Sequence, residues 1–276
     1  MTGKLYAILL TATFILNYTS GKAVARPTVA VLDTGCSIES VQGVSFTRTS
    51  PFIDTCGHGT LMARVILDSN PDINLIMVKI ADTRSDFKAR TITRGLLWCL
   101  ENNVDIVNLS FTIEDSASVR SAINQLIDAG ITVVAAVGNT NTSTGFVIKD
   151  NLVYKSTRLD TAGFPANMDS VIGVGALNFW GVKADFARSC GEVATNGKWA
   201  MKSGTSISSA RLTAYISIIA GQHPDLDSHD IRKIIRIIAQ RKKNNLFISK
   251  KIVKKALKEN IVASLEPEYQ LAMNVQ

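Results

Sequence analysis

Histidine and cysteine are both scarce in this sequence of 276 residues, which has three histidines and four cysteines. The cysteines form no C-x-x-C pair and no cluster with histidine, so the common zinc-site patterns are excluded. No apolar run is long enough to span a membrane. No G-x-G-x-x-G opens a helix after the first strand, which excludes the usual dinucleotide-binding fingerprint.

Acidic residues are absent from residues 231–258, which carry eleven Lys or Arg. Such a basic stretch can attract nucleic acid or anionic lipid. The isoleucines at 231, 234, 235 and 238 nevertheless recur at helical spacing, and we favour a solvated face of an amphipathic helix. The stretch lacks the aromatic interleaving that suggests base stacking, so we expect no nucleic-acid partner.

Residues 1–25 have the layout of a secretory signal. Lys4 precedes an apolar run from Leu5 to Leu16, and small residues follow at Ala23–Val24–Ala25. This pattern predicts cleavage before Arg26, a secreted or periplasmic mature protein, and no stable membrane anchor after cleavage. The alternative is an N-terminal helix of the mature fold.

Short apolar strands alternate with helical patterns from residue 27 onward. "PTVAVLDTG", "INLIMVKI", "VDIVNLSF", "ITVVAAVGN" and "SVIGVGAL" predict buried strands. Their continuous apolarity predicts a three-layer α/β/α fold around a mostly parallel sheet. No linker interrupts the alternation, so we predict one domain over residues 26–240, with residues 241–276 as its basic helical extension.

Polar residues end several of these strands, at Asp33, Ser110 and Asn139. In open parallel sheets the functional groups gather at the carboxyl ends of the strands. We therefore expect these three side chains to lie at one edge of the sheet.

The stretch "SGTSISSA" (203–210) holds five hydroxyls just before a long apolar helical pattern. "SGT" breaks the helical pattern, which places Ser206 where turn and helix meet. There its hydroxyl faces the positive helix end, and its backbone N–H has no intrahelical acceptor. Ser206 is thus a candidate nucleophile; the alternative is an ordinary helix cap.

A nucleophilic serine needs a base, and His58 is the best placed of the three histidines. His223 and His229 flank a polar loop, "HPDLDSHD", whereas His58 lies between glycines where a helix begins. An imidazole there needs a carboxylate to fix its tautomer. Asp33, at the end of a buried strand, is the natural candidate.

In this order, "VAVLDTG", "GHGT" and "SGTSISSA" resemble the Asp, His and Ser blocks of the subtilisin-like serine proteases. "NNVDIVNLSF", "VVAAVGN" and "GFPANMDSVIGVGAL" extend the resemblance over roughly residues 28–240. It implies a subtilisin-like peptidase domain that cuts peptide or protein substrates, and no cofactor or metal ligand is indicated; calcium cannot be read from the sequence.

The resemblance also implies a role for each candidate residue. Ser206 is the implied nucleophile, His58 the base and Asp33 its orienting carboxylate. Asn139 and the Ser206 N–H would form the oxyanion hole. The implied substrate-binding residues are Ser110, Ala135, Ala136 and Gly163, and the small ones suggest a roomy apolar first pocket.

Several positions depart from the family pattern. Ala210 replaces a proline, Arg64 a small residue and Thr112 a glycine, and "RSDFKA" (84–89) replaces a glycine-rich edge. No pro-segment fits between the expected signal cleavage and the first strand. These departures favour the alternative of a catalytically weak or inactive peptide-binding relative, whereas the intact Asp33, His58, Asn139 and Ser206 favour a peptidase.

The residues around the Asp block lead to one further expectation and one competing interpretation. The resemblance places the loops of Cys36 and Cys56 at the same rim, which leads us to expect a Cys36–Cys56 disulfide. "VLDTGCS" also matches the aspartic-protease signature. An aspartic protease needs a second such loop or a dimer of small β-rich chains. The sequence has neither a second copy of the loop nor a strand-rich pattern, so we do not favour an aspartic protease.

Overall fold

The structure is a computed structural model that describes residues 26–140, 146–149, 152–155 and 161–262. The predicted signal sequence lies outside these ranges and stays a prediction. The strands are β1 (Thr28–Asp33), β2 (Gln42–Ser45), β3 (Asn74–Lys79), β4 (Ile106–Leu109), β5 (Thr132–Ala136), β6 (Phe146–Lys149), β7 (Leu152–Lys155), β8 (Ile172–Leu177), β9 (Val193–Asn196), β10 (Lys198–Trp199), β11 (Lys202–Ser203), β12 (Gln240–Lys242) and β13 (Asn245–Phe247). The helices are α1 (His58–Ser69), α2 (Ala89–Glu101), α3 (Ala117–Asp128), α4 (Thr205–Gln222), α5 (Ser228–Ile238) and α6 (Lys250–Lys258).

Nine of the strands form one sheet in the order β12-β13-β9-β8-β5-β4-β1-β3-β2. Every neighbouring pair is parallel except β12 and β13. Two small hairpins, β6–β7 and β10–β11, lie outside this sheet. The mostly parallel sheet confirms the fold class predicted from the apolar strands.

Both faces of the sheet are buried under helices, which explains why the strands are apolar throughout. On β1, Val29 and Val31 join the core formed with α1, α4, α5 and α6. Ala30 and Leu32 point into the opposite core, formed with α2 and α3. Alternate side chains of a strand face opposite sides, so one apolar run supplies both cores.

The strand order reverses around β1, and this reversal locates the site. From β1 the chain moves to β3 on one side of it and then crosses to β4 on the other. A crevice opens at the carboxyl ends of the strands where such a reversal occurs. Asp33, Ser110 and Asn139 all lie at this edge, immediately within or after β1, β4 and β5.

The C-terminal segment extends the same sheet. β12 and β13 form an antiparallel hairpin, and β13 pairs with β9 through Phe247 and Ala194. Helix α6 then packs on α4 and α5, with Val253 and Ala256 buried. The segment predicted as helical therefore contains a two-stranded hairpin before its helix. Across the described ranges, no helix has the length and apolarity that a membrane crossing requires.

Candidate active site

Asp33 and His58 form a buried pair at the carboxyl edge of the sheet. Asp33, the last residue of β1, is fully buried, and His58, the first residue of α1, is 8 % exposed. His58 Nδ1 lies 2.8 Å from Asp33 Oδ1 and 2.9 Å from Oδ2. The Thr34 N–H donates to Asp33 Oδ1 at 2.8 Å. The carboxylate therefore holds the imidazole by Nδ1 and leaves Nε2 for another partner.

Close backbone packing brings the two residues together. A Cβ at position 59 would lie 2.2 Å from the carbonyl oxygen of Gly35, so only glycine fits after His58. Lys79, at the end of β3, is 1 % exposed and supports the neighbouring loops. Its ammonium donates to the carbonyl oxygens of Thr34 at 2.6 Å and Ile53 at 2.8 Å.

Asp54 is a supporting residue that sequence reasoning missed. One of its carboxylate oxygens accepts from Thr34 Oγ1 and the Gly57 N–H, and the other from the Thr60 N–H and hydroxyl. These four hydrogen bonds, of 2.7–2.9 Å, tie the loop after β1 to the first turn of α1. The only signal in the sequence was an aspartate four residues before the histidine, which is too common to identify such a role.

We expect Asp54→Asn to lower the free energy of unfolding by about 2–3 kcal/mol, because an amide nitrogen cannot accept the hydrogen bonds that one carboxylate oxygen accepts. Urea denaturation of both proteins measures the difference. Asp86→Asn is the matched control: Asp86 makes an exposed ion pair with Lys88, and its loss should change stability by less than about 0.5 kcal/mol. Equal effects of the two substitutions would contradict this role for Asp54.

Ser206 is the second residue of α4 and is 8 % exposed. Its hydroxyl donates to the carbonyl oxygen of Ser110 at 2.7 Å. The Ser110 hydroxyl in turn donates to the carbonyl oxygen of Ser206 at 3.1 Å. His58 and Ser206 line the same cavity, of about 130 Å³. The Ser206 hydroxyl nevertheless donates its hydrogen bond to Ser110 and not to His58.

A buried polar network under α4 includes the Ser209 hydroxyl of this region, whereas the buried Ser208 hydroxyl has no hydrogen-bond partner among the described residues. The Asn108 amide oxygen accepts from Ser209 and Thr213 at 3.0 and 3.1 Å, and its amide nitrogen donates to the Ser110 hydroxyl at 2.8 Å. Satisfied buried networks of this kind fix one arrangement of the elements that they join. Asn108 thus sets the position of the first turns of α4 relative to β4.

The side chain of Asn139 reaches the start of α4. Its Oδ1 accepts from the Thr205 N–H at 3.0 Å and the Thr205 hydroxyl at 3.1 Å. Oδ1 is therefore engaged, and the Nδ2 group remains available as a donor. Asn139 borders the cavities on both sides of Ser206, together with Arg84.

A second cavity, of about 360 Å³, lies beside Ser206. Of the four residues predicted to bind substrate, Ser110 and Ala136 border this cavity, whereas Ala135 and Gly163 are buried and not among its lining residues. A Cβ on Gly163 would lie 2.8 Å from Thr112 Cγ2 and 2.9 Å from an Arg188 nitrogen. Thr112 and Arg188 therefore occupy the space over Gly163. The small side chains of the predicted substrate-binding residues had suggested that this space is open.

Three other departures from the family pattern, at Arg64, Ala210 and residues 84–89, lie in different surroundings. Arg64 is exposed on α1, and Ala210 is fully buried within α4. The segment from Arg84 forms one wall of the 360 Å³ cavity, where Phe87 stacks on Phe111 with ring centroids 4.4 Å apart. Of these three changes only the last lies at the surface of the cleft, where Thr112 also lies.

The predicted Cys36–Cys56 disulfide is not formed in the structure, where both cysteines are free. Cys36 is fully buried in the core beside α1, while Cys56 is partly exposed and lines the cavity that also holds His58. Burial raises the pKa of the Cys36 thiol, which keeps it protonated and unreactive at neutral pH. Cys99 is also a free, fully buried thiol. Among the described residues, no group of three or more His, Cys, Asp or Glu is placed to hold a metal ion.

Comparison with known proteins identifies one family. The model of the Subtilase family, Peptidase_S8, matches residues 25–255. Subtilisin amylosacchariticus of Bacillus subtilis subsp. amylosacchariticus is 25 % identical over 254 residues, which cover 82 % of this chain. That alignment covers 63 % of the relative, so the chain spans less than two thirds of the length of this protein.

Solved structures show the same fold. The protease domain of PatA superposes with a TM-score of 0.69 at 18 % identity, covering 88 % of this chain and 98 % of that one. A cold-adapted subtilisin-like serine proteinase gives a TM-score of 0.67 at 19 % identity, with coverages of 85 % and 92 %. At these identities the likeness supports the fold.

Proposed function

Because this chain belongs to the Subtilase family, we propose that it is a serine endopeptidase in which Ser206, His58 and Asp33 form the catalytic triad. The proposal rests on the buried Asp33–His58 pair, with contacts of 2.8 and 2.9 Å, whose histidine lines the same cavity as Ser206. A binding protein has no need of a buried carboxylate that fixes one imidazole tautomer.

In the proposed reaction, Ser206 Oγ attacks the carbonyl carbon of the scissile bond while its proton passes to His58 Nε2. The carbonyl electron pair moves to the oxygen, which becomes an oxyanion. When this intermediate collapses, the C–N bond breaks and His58 gives its proton to the leaving amine. Water then attacks the acyl-enzyme in the same way and releases the acid. Asp33 stays ionised and stabilises the imidazolium.

The hydrogen bond between Ser206 and Ser110 suggests how substrate would prepare the nucleophile. An extended peptide that pairs with the chain at Ser110 offers an N–H to the same carbonyl oxygen that now accepts the Ser206 hydroxyl. That N–H would replace the hydroxyl as donor. Rotation of the Ser206 side chain about χ1 would then bring Oγ toward His58 Nε2.

The proposed oxyanion hole consists of the Ser206 N–H and the Asn139 Nδ2 group. Ser206 lies in the first turn of α4, where backbone N–H groups have no intrahelical acceptor. Thr205 holds Oδ1 of Asn139 through two hydrogen bonds, which fixes which end of the amide is free to donate. Pre-oriented donors of this kind stabilise charge that develops only in the transition state.

We expect Asn139→Ala to lower kcat by about 10²–10³-fold with little change in KM, because the amide acts mainly on the oxyanion. Steady-state hydrolysis of a peptide amide measures both constants. Asn178→Ala, in the turn after β8, is a control for the loss of an asparagine side chain that borders neither cavity. An increase in KM at unchanged kcat would instead assign Asn139 to substrate binding.

The filling of the space over Gly163 leads us to propose a shallow first specificity pocket that accepts small side chains. Thr112→Gly should raise kcat/KM for a peptide with phenylalanine before the scissile bond by about tenfold or more, relative to one with alanine. Thr112→Val is the matched control, because it keeps the Cγ2 methyl that lies nearest Gly163. A ratio that stays the same in Thr112→Gly would show that Thr112 does not limit the pocket.

The second candidate is an inactive peptide-binding relative, and the Ser206–Ser110 hydrogen bond favours it because the hydroxyl is turned from the base. Incubation with unfolded casein separates the two functions, with Ser206→Ala as control. Fragments produced by the native chain and absent with Ser206→Ala would support the peptidase. Equal binding of casein by both chains, with cleavage by neither, would support the binding protein.

A further inference from the structure

A pair of exposed aromatic residues projects from the turn after β8. Phe179 is 88 % exposed and Trp180 74 % exposed, and their rings meet edge to face with centroids 5.3 Å apart. Val182, two residues further, is 40 % exposed. We call these three residues the aromatic tip. Exposing so much apolar surface in one place is unfavourable in water and marks a surface for contact.

The backbone of the turn holds the aromatic tip outward. Asn178 Oδ1 accepts from the N–H groups of Trp180 and Val182 at 3.0 and 3.2 Å, and the Asn178 N–H donates to the Val182 carbonyl oxygen at 2.8 Å. Gly181 takes the left-handed conformation, with φ of 73°, that closes this turn. The exposure of Phe179 and Trp180 is therefore built into a hydrogen-bonded turn.

A basic hairpin lies directly against this turn. The Asn245 amide donates to the Gly181 carbonyl oxygen at 3.4 Å, and a Cβ on Gly181 would lie 3.1 Å from Lys242 Cβ. Arg241 and Lys243 of the hairpin are exposed, and the Lys242 ammonium lies 3.9 Å from the Phe247 ring centroid. We call Arg241, Lys242 and Lys243 the basic hairpin.

The basic hairpin differs from the basic residues of α5. Glu192 binds both Arg232 and Arg236 of that helix. By contrast, Arg241, Lys242 and Lys243 form no ion pair with a carboxylate of the described residues. Within that part of the chain, the basic hairpin therefore presents positive charge beside the aromatic tip that no acidic side chain neutralises.

We propose that the aromatic tip and the basic hairpin together dock the protein on the surface of an anionic lipid membrane. Trp and Phe side chains favour the boundary between lipid headgroups and acyl chains, and adjacent Lys and Arg attract anionic headgroups. Contact of this kind is peripheral and reversible and needs no spanning helix. It gives a role to basic residues whose function the sequence left open, and it uses no residue of the proposed active site.

Nucleic acid is anionic and could also bind the basic hairpin. The arrangement of the Phe179 and Trp180 rings favours a lipid surface instead. Bases stack on flat faces of separate aromatic side chains. Phe179 and Trp180 instead pack edge to face, with an angle of 83° between ring planes, and Val182 extends the apolar surface beside them. An apolar projection of this shape suits insertion between lipid headgroups.

Co-sedimentation of the purified chain with large vesicles tests the proposal. We expect binding to vesicles of mixed phosphatidylserine and phosphatidylcholine at about 0.1 M salt, and much weaker binding to phosphatidylcholine alone. The double variant Phe179→Ser/Trp180→Ser and the triple variant Arg241→Gln/Lys242→Gln/Lys243→Gln should each weaken binding to the mixed vesicles by about tenfold or more.

Two matched controls keep the test specific. Met201→Ser removes another fully exposed apolar residue, and Arg48→Gln/Arg64→Gln/Arg90→Gln removes three exposed cations away from the hairpin. Both should bind vesicles as the native chain does, with unchanged circular dichroism. Failure of the folded native chain to bind mixed vesicles would overturn the proposal. So would equal weakening by the controls, binding to a duplex oligonucleotide in place of vesicles, or a dimer that the Phe179→Ser/Trp180→Ser variant abolishes.

Discussion

Replacing His58 with alanine is expected to lower kcat for peptide hydrolysis by about 10⁶-fold, the scale found for a serine or histidine of the triad in a subtilisin. Without the imidazole, Asp33 cannot take the proton of Ser206 directly, because it is buried behind His58 and contacts the Nδ1 side of the ring. Hydrolysis of a chromogenic peptide, with the native chain and the variant purified in parallel, measures the loss.

Control variants and a double variant test whether His58 itself is the base. His223→Ala and His229→Ala remove the other histidines of the chain and should leave kcat within about twofold. The double variant His58→Ala/Ser206→Ala should be no less active than either single one, since the two residues act as a unit. A loss below about tenfold in His58→Ala would show that another group serves as the base.

Changing Asp33 to asparagine should lower kcat by about 10⁴-fold while the protein stays folded. The amide would donate a hydrogen bond to His58 Nδ1, which stabilises the tautomer with its proton on Nε2. That tautomer cannot accept the proton of Ser206. The substitution keeps the shape of the side chain, so the loss arises from the proton's position and not from a cavity.

Asp54→Asn is the natural comparison for Asp33→Asn, because both remove one carboxylate from the same loop region. We expect Asp54→Asn to lower stability more than kcat, and Asp33→Asn to lower kcat more than stability. Thermal unfolding and peptide hydrolysis on the same samples compare the two. The reverse pattern would exchange the structural and catalytic roles assigned to these aspartates.

The central strands of the sheet could be predicted because burial on both faces requires apolar side chains at nearly every position. β1, β3, β4, β5 and β8 are covered on both faces, and each appears in the sequence as a mainly apolar run. The strands at the two ends of the sheet could not be predicted in the same way. These are β2 at one end and the β12–β13 hairpin at the other, whose side chains are at most partly buried, so their sequences lack the apolar pattern.

The proximity of Asp33 and His58 could be predicted from the sequence, whereas the hydrogen bonds of the candidate site could not. Asp33 and His58 meet because the end of β1 and the start of α1 share one edge of the sheet. The partner of the Ser206 hydroxyl depends on a side-chain rotation, which no sequence pattern records. The filling of the space over Gly163 likewise depends on contacts with Thr112 and Arg188, which are distant in the sequence.

Mapping of a fluorophosphonate adduct tests whether Ser206 is the nucleophile. An activated serine displaces fluoride and forms a covalent bond to phosphorus, and the tryptic peptide of residues 203–211, SGTSISSAR, contains all the serines of this turn. We expect one adduct on Ser206 in the native chain and none in His58→Ala. A folded native chain that carries no adduct, or carries it on Ser208 or Ser209, would contradict the assignment of Ser206 as the nucleophile.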